Sequence, residues 1–150
     1  MKTLVVYYSN AGNTEEAAKR IAKELTADVL RLIPRKEIPK EGIRRFFLGG
    51  MKSTFGWGTK LNKYDLRMDK YDQIILGTPV WASSPCPAVN RFLKDIRDTG
   101  KITSVFTCSA SGDNAKCIKI LKRKIPGLKQ HVSLYDRKFP EHAGENDSGL

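Results

Sequence analysis

The chain alternates short apolar runs with stretches of helical periodicity. Residues 3 to 8 read Thr-Leu-Val-Val-Tyr-Tyr, which predicts a strand buried on both faces. The turn Ser9-Asn10-Ala11-Gly12-Asn13-Thr14 follows, and Ala18, Ile21, Ala22 and Leu25 then recur at the spacing of one helix face. Residues 28 to 33 predict a second strand, closed by Pro34. Ile43, Phe46, Phe47, Met51 and Phe55 share a helical stripe over 42 to 55, weakened by Gly49 and Gly50 and ended by Gly56-Trp57-Gly58. Residues 72 to 77 predict a third strand, and a proline-containing loop is expected from Thr78 to Pro87. Val89, Phe92, Leu93 and Ile96 mark a third helix, residues 101 to 108 a fourth strand, and Ser109 to Asn114 a second Gly/Asp loop. Ile118, Leu121 and Ile125 mark a fourth helix, and residues 131 to 137 a fifth strand. From Pro140 to Leu150 the chain is polar, with no helical stripe.

Strands that alternate with helices build a parallel sheet covered on both faces, through right-handed crossovers. No repeat or linker interrupts the pattern, so 150 residues predict one α/β domain over 1–138 and a polar tail over 139–150.

Composition narrows the class. No apolar run approaches the ~20 residues of a membrane helix, and Leu4 to Tyr8 is too short for a signal-peptide core. A cytoplasmic protein without membrane contact is expected. Cys86, Cys108 and Cys117 form no C-x-x-C pair, and His131 and His142 share no helix turn, so no metal site is expected. Charge is the unusual feature, at 27 Lys+Arg against 16 Asp+Glu, or +11. Residues 35 to 70 hold ten bases and four acids, and residues 116 to 138 hold eight bases and one acid. Such a field attracts an acidic protein, nucleic acid or anionic lipid, or it is simply a set of solvated helix faces.

Open α/β sheets bind ligands beyond the carboxyl ends of their strands. Three loops stand there. Ser9 to Thr14 joins a buried strand to a helix N-terminus, where unpaired amides and the positive end of the helix dipole suit a phosphate. Gly12 permits positive φ and close approach. Ser9, Asn10, Asn13 and Thr14 add side-chain donors, although an ordinary N-cap by Asn13 or Thr14 fits the same residues. Neither a Walker A loop nor G-x-G-x-x-G is present. The second loop, with Thr78, Pro79, Val80 and Trp81, is expected to expose an indole that can cover a flat ring. The same tryptophan could instead cap the core edge. The third loop, Ser109-Ala110-Ser111-Gly112-Asp113-Asn114, offers small residues and free amides to the edge of a heterocycle. Trp57, between two glycines, competes with Trp81 for a place beside such a ring.

These residues carry a family resemblance. Ser9-Asn10-Ala11-Gly12-Asn13-Thr14 is similar to the phosphate loop of flavodoxins, and Asp72 to Trp81 is similar to their third strand and flavin loop. Ser109 to Asn114 lies where their other flavin loop lies. The resemblance runs to about residue 138. It implies a flavodoxin-like, doubly wound, five-stranded parallel sheet of order 2-1-3-4-5. It also implies FMN, with its phosphate at Ser9 to Thr14 and its isoalloxazine between the other two loops. Three features depart from the pattern. Ala11 replaces a usual hydroxyl, the third loop has no aromatic, and the chain is basic where electron-carrying flavodoxins tend to be acidic.

Flavodoxin-like folds end on a fifth helix, and no such helix is evident here. Strands four and five would then show a half-polar face, with Thr103, Val105, Thr107, Ser133, Tyr135 and Arg137, on the side of the first helix. That face would suit a homodimer. The resemblance leaves three functions open. The first is electron transfer to a redox partner, which the basic surface expects to be acidic. The second is reduction of a quinone or other small acceptor with NAD(P)H, favoured by an open flavin face. The third is a cofactor-free basic binding module. No side chain is expected to be catalytic, because a flavin carries its own redox chemistry.

Overall fold

The computed structural model describes residues 1–10, 12–36, 59–81, 83–96, 98–109 and 114–135. Six strands lie among the described residues: β1 (Thr3–Tyr7), β2 (Asp28–Arg31), β3 (Gln73–Trp81), β4 (Ser84–Pro85), β5 (Ile102–Ser109) and β6 (Gln130–Tyr135). Three helices of two turns or more accompany them: α1 (Asn13–Leu25), α2 (Pro87–Asp95) and α3 (Ala115–Lys124). The main sheet runs β2-β1-β3-β5-β6, and all of these pairs are parallel. The short β4 folds back antiparallel on the end of β3. Apart from that hairpin, this is the 2-1-3-4-5 order of a flavodoxin-like sheet.

Two cores follow from the alternation of side chains across the strands. On one face Val5, Tyr7, Ile75 and Phe106 pack against Ala17, Ala18, Ile21 and Ala22 of α1. Alanine dominates this stripe, so the helix can sit close to the sheet. Leu25, the last residue of the predicted stripe, is half exposed at the helix end. On the other face Leu4, Val6, Ile74, Leu76, Ile102 and Val105 meet Val89 and Phe92 of α2 and Cys117, Ile118 and Leu121 of α3. Ile125 of the fourth predicted stripe is buried in this core as well. Pro87 opens α2 at a position where the missing N–H would have no helical partner.

Three expectations are corrected. First, β3 does not stop at Gly77 but continues through Pro79 to Trp81. A proline normally interrupts a central strand. Here β1 has already ended, its last strand residue Tyr7 lying beside Gly77, so at Pro79 only the β5 ladder remains. Second, the second strand ends at Arg31 rather than residue 33. Leu32 turns into the core, and Ile33 to Arg35 form a short ladder with residues 60 to 62. Third, a β-bulge at Thr103 resets the facing of β5. Ile74 pairs with Ile102, yet Ile75 pairs with Ser104. Ile102 and Val105 therefore share the α2/α3 face, and Phe106 and Cys108 the α1 face. The apolar set of β5 and β6, not the half-polar set, lies on the side of α1. Val105, offered above to a dimer interface, is 1% exposed in the opposite core.

The candidate helix over 42 to 55, Trp57, the tail from 139 to 150 and the question of a fifth helix lie outside the described residues. Among those described, no helix is long and apolar enough to cross a membrane.

One close approach lies at the middle of the sheet. A Cβ on Gly77 would sit 2.1 Å from Cζ of Phe106, whose ring is buried on the neighbouring strand. Overpacking of this kind costs about 1–3 kcal/mol. Gly77→Ala should lower stability by that amount in urea unfolding, and Phe106→Leu in the same chain should recover part of the loss. Additive costs in the double variant would refute the contact.

Candidate functional site

Parallel strands deliver their carboxyl ends to one edge of the sheet. The pairings of Tyr7 with Gly77, of Thr78 with Thr107 and of Ser109 with Tyr135 bring the segments after β1, β3 and β5 to that edge together.

The first segment is shaped by Gly12. Its φ of 102° and ψ of −10° are left-handed, a conformation glycine adopts without steric cost. Gly12 is also the N-cap of α1, and no side-chain hydrogen bond closes the helix start. The alternative of an N-cap by Asn13 or Thr14 does not hold, since both lie inside the first turn of a helix that starts at Asn13. The buried Ser9 hydroxyl accepts a hydrogen bond from the Gly12 N–H at 3.0 Å, which folds the segment into a tight arch. Asn10 Nδ2 donates to the Tyr8 hydroxyl at 3.4 Å, and Thr14 is buried beneath the arch. Ala11 lies outside the described residues.

A charged cluster flanks this arch. Arg31, the last residue of β2, donates from Nη2 to the Ser9 carbonyl at 3.2 Å. Its Nη1 stands 3.6 Å from Glu15 in the first turn of α1, and Lys19 Nζ is 2.9 Å from the same carboxylate. The hydrogen bond from Lys19 holds the Glu15 carboxyl below its ordinary pKa, and Glu15 in turn raises that of Lys19. Burial first, and then Glu15, raise the pKa of the Tyr7 hydroxyl. Arg31 had not been singled out as a site residue. One usable signal lay in the strand order: β2 neighbours β1, so the end of strand two must lie beside the loop after strand one.

The second segment is a hairpin rather than a loop. Val80 pairs with Pro85 and Trp81 with Ser84, while Ser83 turns at φ 63°. Thr78 is fully buried. Its hydroxyl accepts from the Cys86 N–H at 3.1 Å and is 2.8 Å from the Pro79 carbonyl, which fixes the start of α2 to β3. Pro79 is half-buried, and Val80 is buried. Trp81, expected to be exposed, is only 4% exposed. Its indole stands edge-to-face with Tyr8, centroids 5.7 Å apart at 85°. The two rings line a small cleft with Pro34, Lys36, Thr59, Pro87 and Ala88.

The third segment is described only at its ends. Asn114, the buried N-cap of α3, donates from Nδ2 to the Thr107 hydroxyl at 2.7 Å. Its Oδ1 accepts from the Ser109 hydroxyl at 2.5 Å. These bonds clamp the mouth of the segment. Ala110, Ser111, Gly112 and Asp113 lie outside the described residues.

This donor set fits a phosphate monoester joined to a flat ring. An uncapped helix start, the Ser9 hydroxyl and flanking cations suit the phosphate, and the buried Tyr8 and Trp81 rings lie at the same edge. Among the described residues no group of His, Cys, Asp and Glu could hold a metal ion.

A doubly wound sheet with its loops arranged in this way defines a flavodoxin-like protein. The sequence model of the flavodoxin family matches residues 57–142, more than half of the chain, and the chain belongs to that family. Among solved structures it is similar to a putative flavoprotein from Bacteroides uniformis, at TM-score 0.77 and 23% identity over 91% of this chain and 93% of that one. A putative flavoprotein from Bacteroides eggerthii gives 0.74 and 20%, over 89% and 87%. A flavoprotein in complex with FMN from Lactobacillus acidophilus gives 0.64 and 20%, over 93% and 96%. At these identities the likenesses establish the fold. No curated protein matches the chain.

The buried thiols give one test of the site's walls. Burial pushes Cys86, beside Thr78, up to about 11, and Cys117, in the first turn of α3, up to about 12. A thiolate is the reactive form. At pH 8 neither residue should be alkylated by iodoacetamide in the native protein, and both should react fully in urea. Rapid native labelling of Cys86 would show that the β3–α2 junction opens.

Proposed function

We propose that this protein is an FMN-dependent electron-transfer protein. FMN is the cofactor, with its phosphate at the N-terminus of α1 and its ring beside the β3–β4 hairpin. The observation that carries this reading is the glycine-capped start of α1. It leaves the first turn with no side-chain cap, next to the Ser9 hydroxyl and beside Arg31, at the same sheet edge as Trp81. The complex of the Lactobacillus acidophilus flavoprotein with FMN supports it, as does family membership.

When bound, FMN supplies the redox chemistry. The chain's own residues bind and orient. Ser9, Asn10, Gly12, Asn13 and Thr14 would hold the phosphate end, together with Ala11. Pro79, Val80, Trp81 and Ser109 to Asp113 would frame the ring, with Thr78 fixing the hairpin from beneath. Thr14→Asp places a carboxylate against the phosphate, and because Thr14 is buried, circular dichroism of the variant checks that it folds. Losing a charge-assisted contact costs about 1.5–3 kcal/mol. Titration with FMN should therefore show at least tenfold weaker binding, and unchanged affinity would rule out the placement.

The electron partner would be acidic. Lys116, Lys119, Lys122 and Arg123 are exposed on α3, and that helix carries no acid. Lys124 reaches the Asn90 side chain at 2.9 Å, and its pKa falls through burial and then through the neighbouring charges of Lys94 and Arg123. This basic face starts at the third site segment, so a docked partner would stand near the ring. Electron transfer to an acidic carrier protein should slow about tenfold or more between low and ~0.5 M salt. A salt-independent rate would make the face only a solvated surface.

A second reading is an NAD(P)H-dependent reductase of a small acceptor. The segment from Ser109 to Asn114 has no aromatic to cover the ring's second face. Stopped-flow mixing of the FMN-loaded protein with NADPH or NADH separates the two. Rapid bleaching of the flavin favours the reductase, and its absence favours the carrier.

A further inference from the structure

The arch from Ser9 to Thr14 contains no Lys or Arg, and its residue 11 is an alanine without a hydroxyl. The first turn of α1 also carries Glu15 and Glu16. Carboxylates there favour the helix, but they oppose any anion seated on its amides. Positive charge beside this arch would strengthen a phosphate held by its amides, and the structure supplies it on the Glu15 side. Arg31 comes from a neighbouring strand, in register with Tyr7 at the end of β1. It bridges the Ser9 carbonyl and the Glu15 carboxylate, and Lys19 meets Glu15 from one turn further along the helix. Arg31 and Lys19 together offset the two first-turn carboxylates, and Arg31 places its charge at the Ser9 carbonyl. Arg31 is held at two points, although its side chain is 44% exposed.

We infer that Arg31 is the positioning residue for the cofactor's phosphate. It fixes the arch through the Ser9 carbonyl and offsets Glu15, so that the amides of α1 face a field favourable to a dianion. The inference rests on the placement of FMN proposed above. It adds a specific dependence: the preference for FMN over riboflavin, which lacks the phosphate, resides in the pair formed by Arg31 and Glu15.

The test compares the dissociation constants of FMN and riboflavin, read by quenching of flavin fluorescence, for the full chain and its variants. Wild type should prefer FMN. Arg31→Gln should weaken FMN about tenfold and leave riboflavin within twofold, and the FMN affinity should lose most of its salt dependence. Arg31→Lys, which keeps the charge, should restore part of the preference. Glu15→Gln in the Arg31→Gln chain should also restore part of it, because the carboxylate left without Arg31 is then gone. A purely structural role would weaken both flavins equally, and that outcome overturns the inference. An unchanged preference in Arg31→Gln overturns it too. A wild type that binds both flavins alike overturns the phosphate placement itself, and the role of Arg31 falls with it. Should Arg31→Gln fail to fold by circular dichroism, the Arg31→Lys and Glu15→Gln single variants carry the comparison: the first should lower the preference and the second raise it. No change in either overturns the inference.

Discussion

The carboxyl edge of the sheet is aligned by β3, on which β1 and β5 both pair. The strand is flanked by β1 and β5, packed on both faces, and longer than either neighbour's pairing with it. A strand so placed has no wet side over its middle, so its residues there are apolar, tiny or, like Thr78, hydrogen-bonded. Gly77 is the extreme case, because the Phe106 ring fills the space its side chain would need. That ring belongs to the α1 core, while the adjoining Thr78 fixes the start of α2 on the other face. One residue pair along β3 thus ties both cores to the hairpin that ends in Trp81.

Charge is distributed with a similar division. The segment from Ser9 to Thr14 is neutral in its own sequence, with Arg31 of β2 and Lys19 of the second turn of α1 standing beside it. The α3 face is basic along its length, and among its exposed residues nothing offsets it. The first acts on a single group at hydrogen-bond range. The second is spread along a helix and reaches a partner at a distance. The same net charge of +11 therefore describes two physically separate effects.

Much of the fold was legible in the sequence, because burial on both faces and burial on one face leave different signatures. The runs at Thr3 to Tyr8 and Asp72 to Gly77 read correctly as central strands. The stripes through Ile21 and Ala22, through Val89 and Phe92, and through Ile118 and Leu121 read correctly as helices. What failed had local causes that a periodicity cannot carry. Pro79 looked like a loop, because its tolerance depends on where the neighbouring strand stops. The bulge at Thr103 reversed the facing of every later residue in β5, and with it the expected half-polar surface. Trp81 was expected on the surface, but its burial depends on Tyr8, a residue of the first strand's end. Of the site, the three segments were legible as loops following strands. Arg31 was not, because its role comes from strand order rather than from any motif.

The order of pairing has a consequence for how the chain is made. β1 and β2 can pair as soon as α1 has formed between them. The other edge of β1 must wait for β3, since Thr3 is in register with Gln73, some 70 residues later. At about 5–20 residues per second, a ribosome needs several seconds to supply that partner. For that interval an apolar strand edge, Leu4 to Tyr7, has every backbone donor and acceptor on one side unpaired. Nascent chains would thus meet chaperones, or one another, at this edge before the cofactor site exists. Once the emerging β3 seats against it, the segments after β1 and β3 reach one edge of the sheet in the same step.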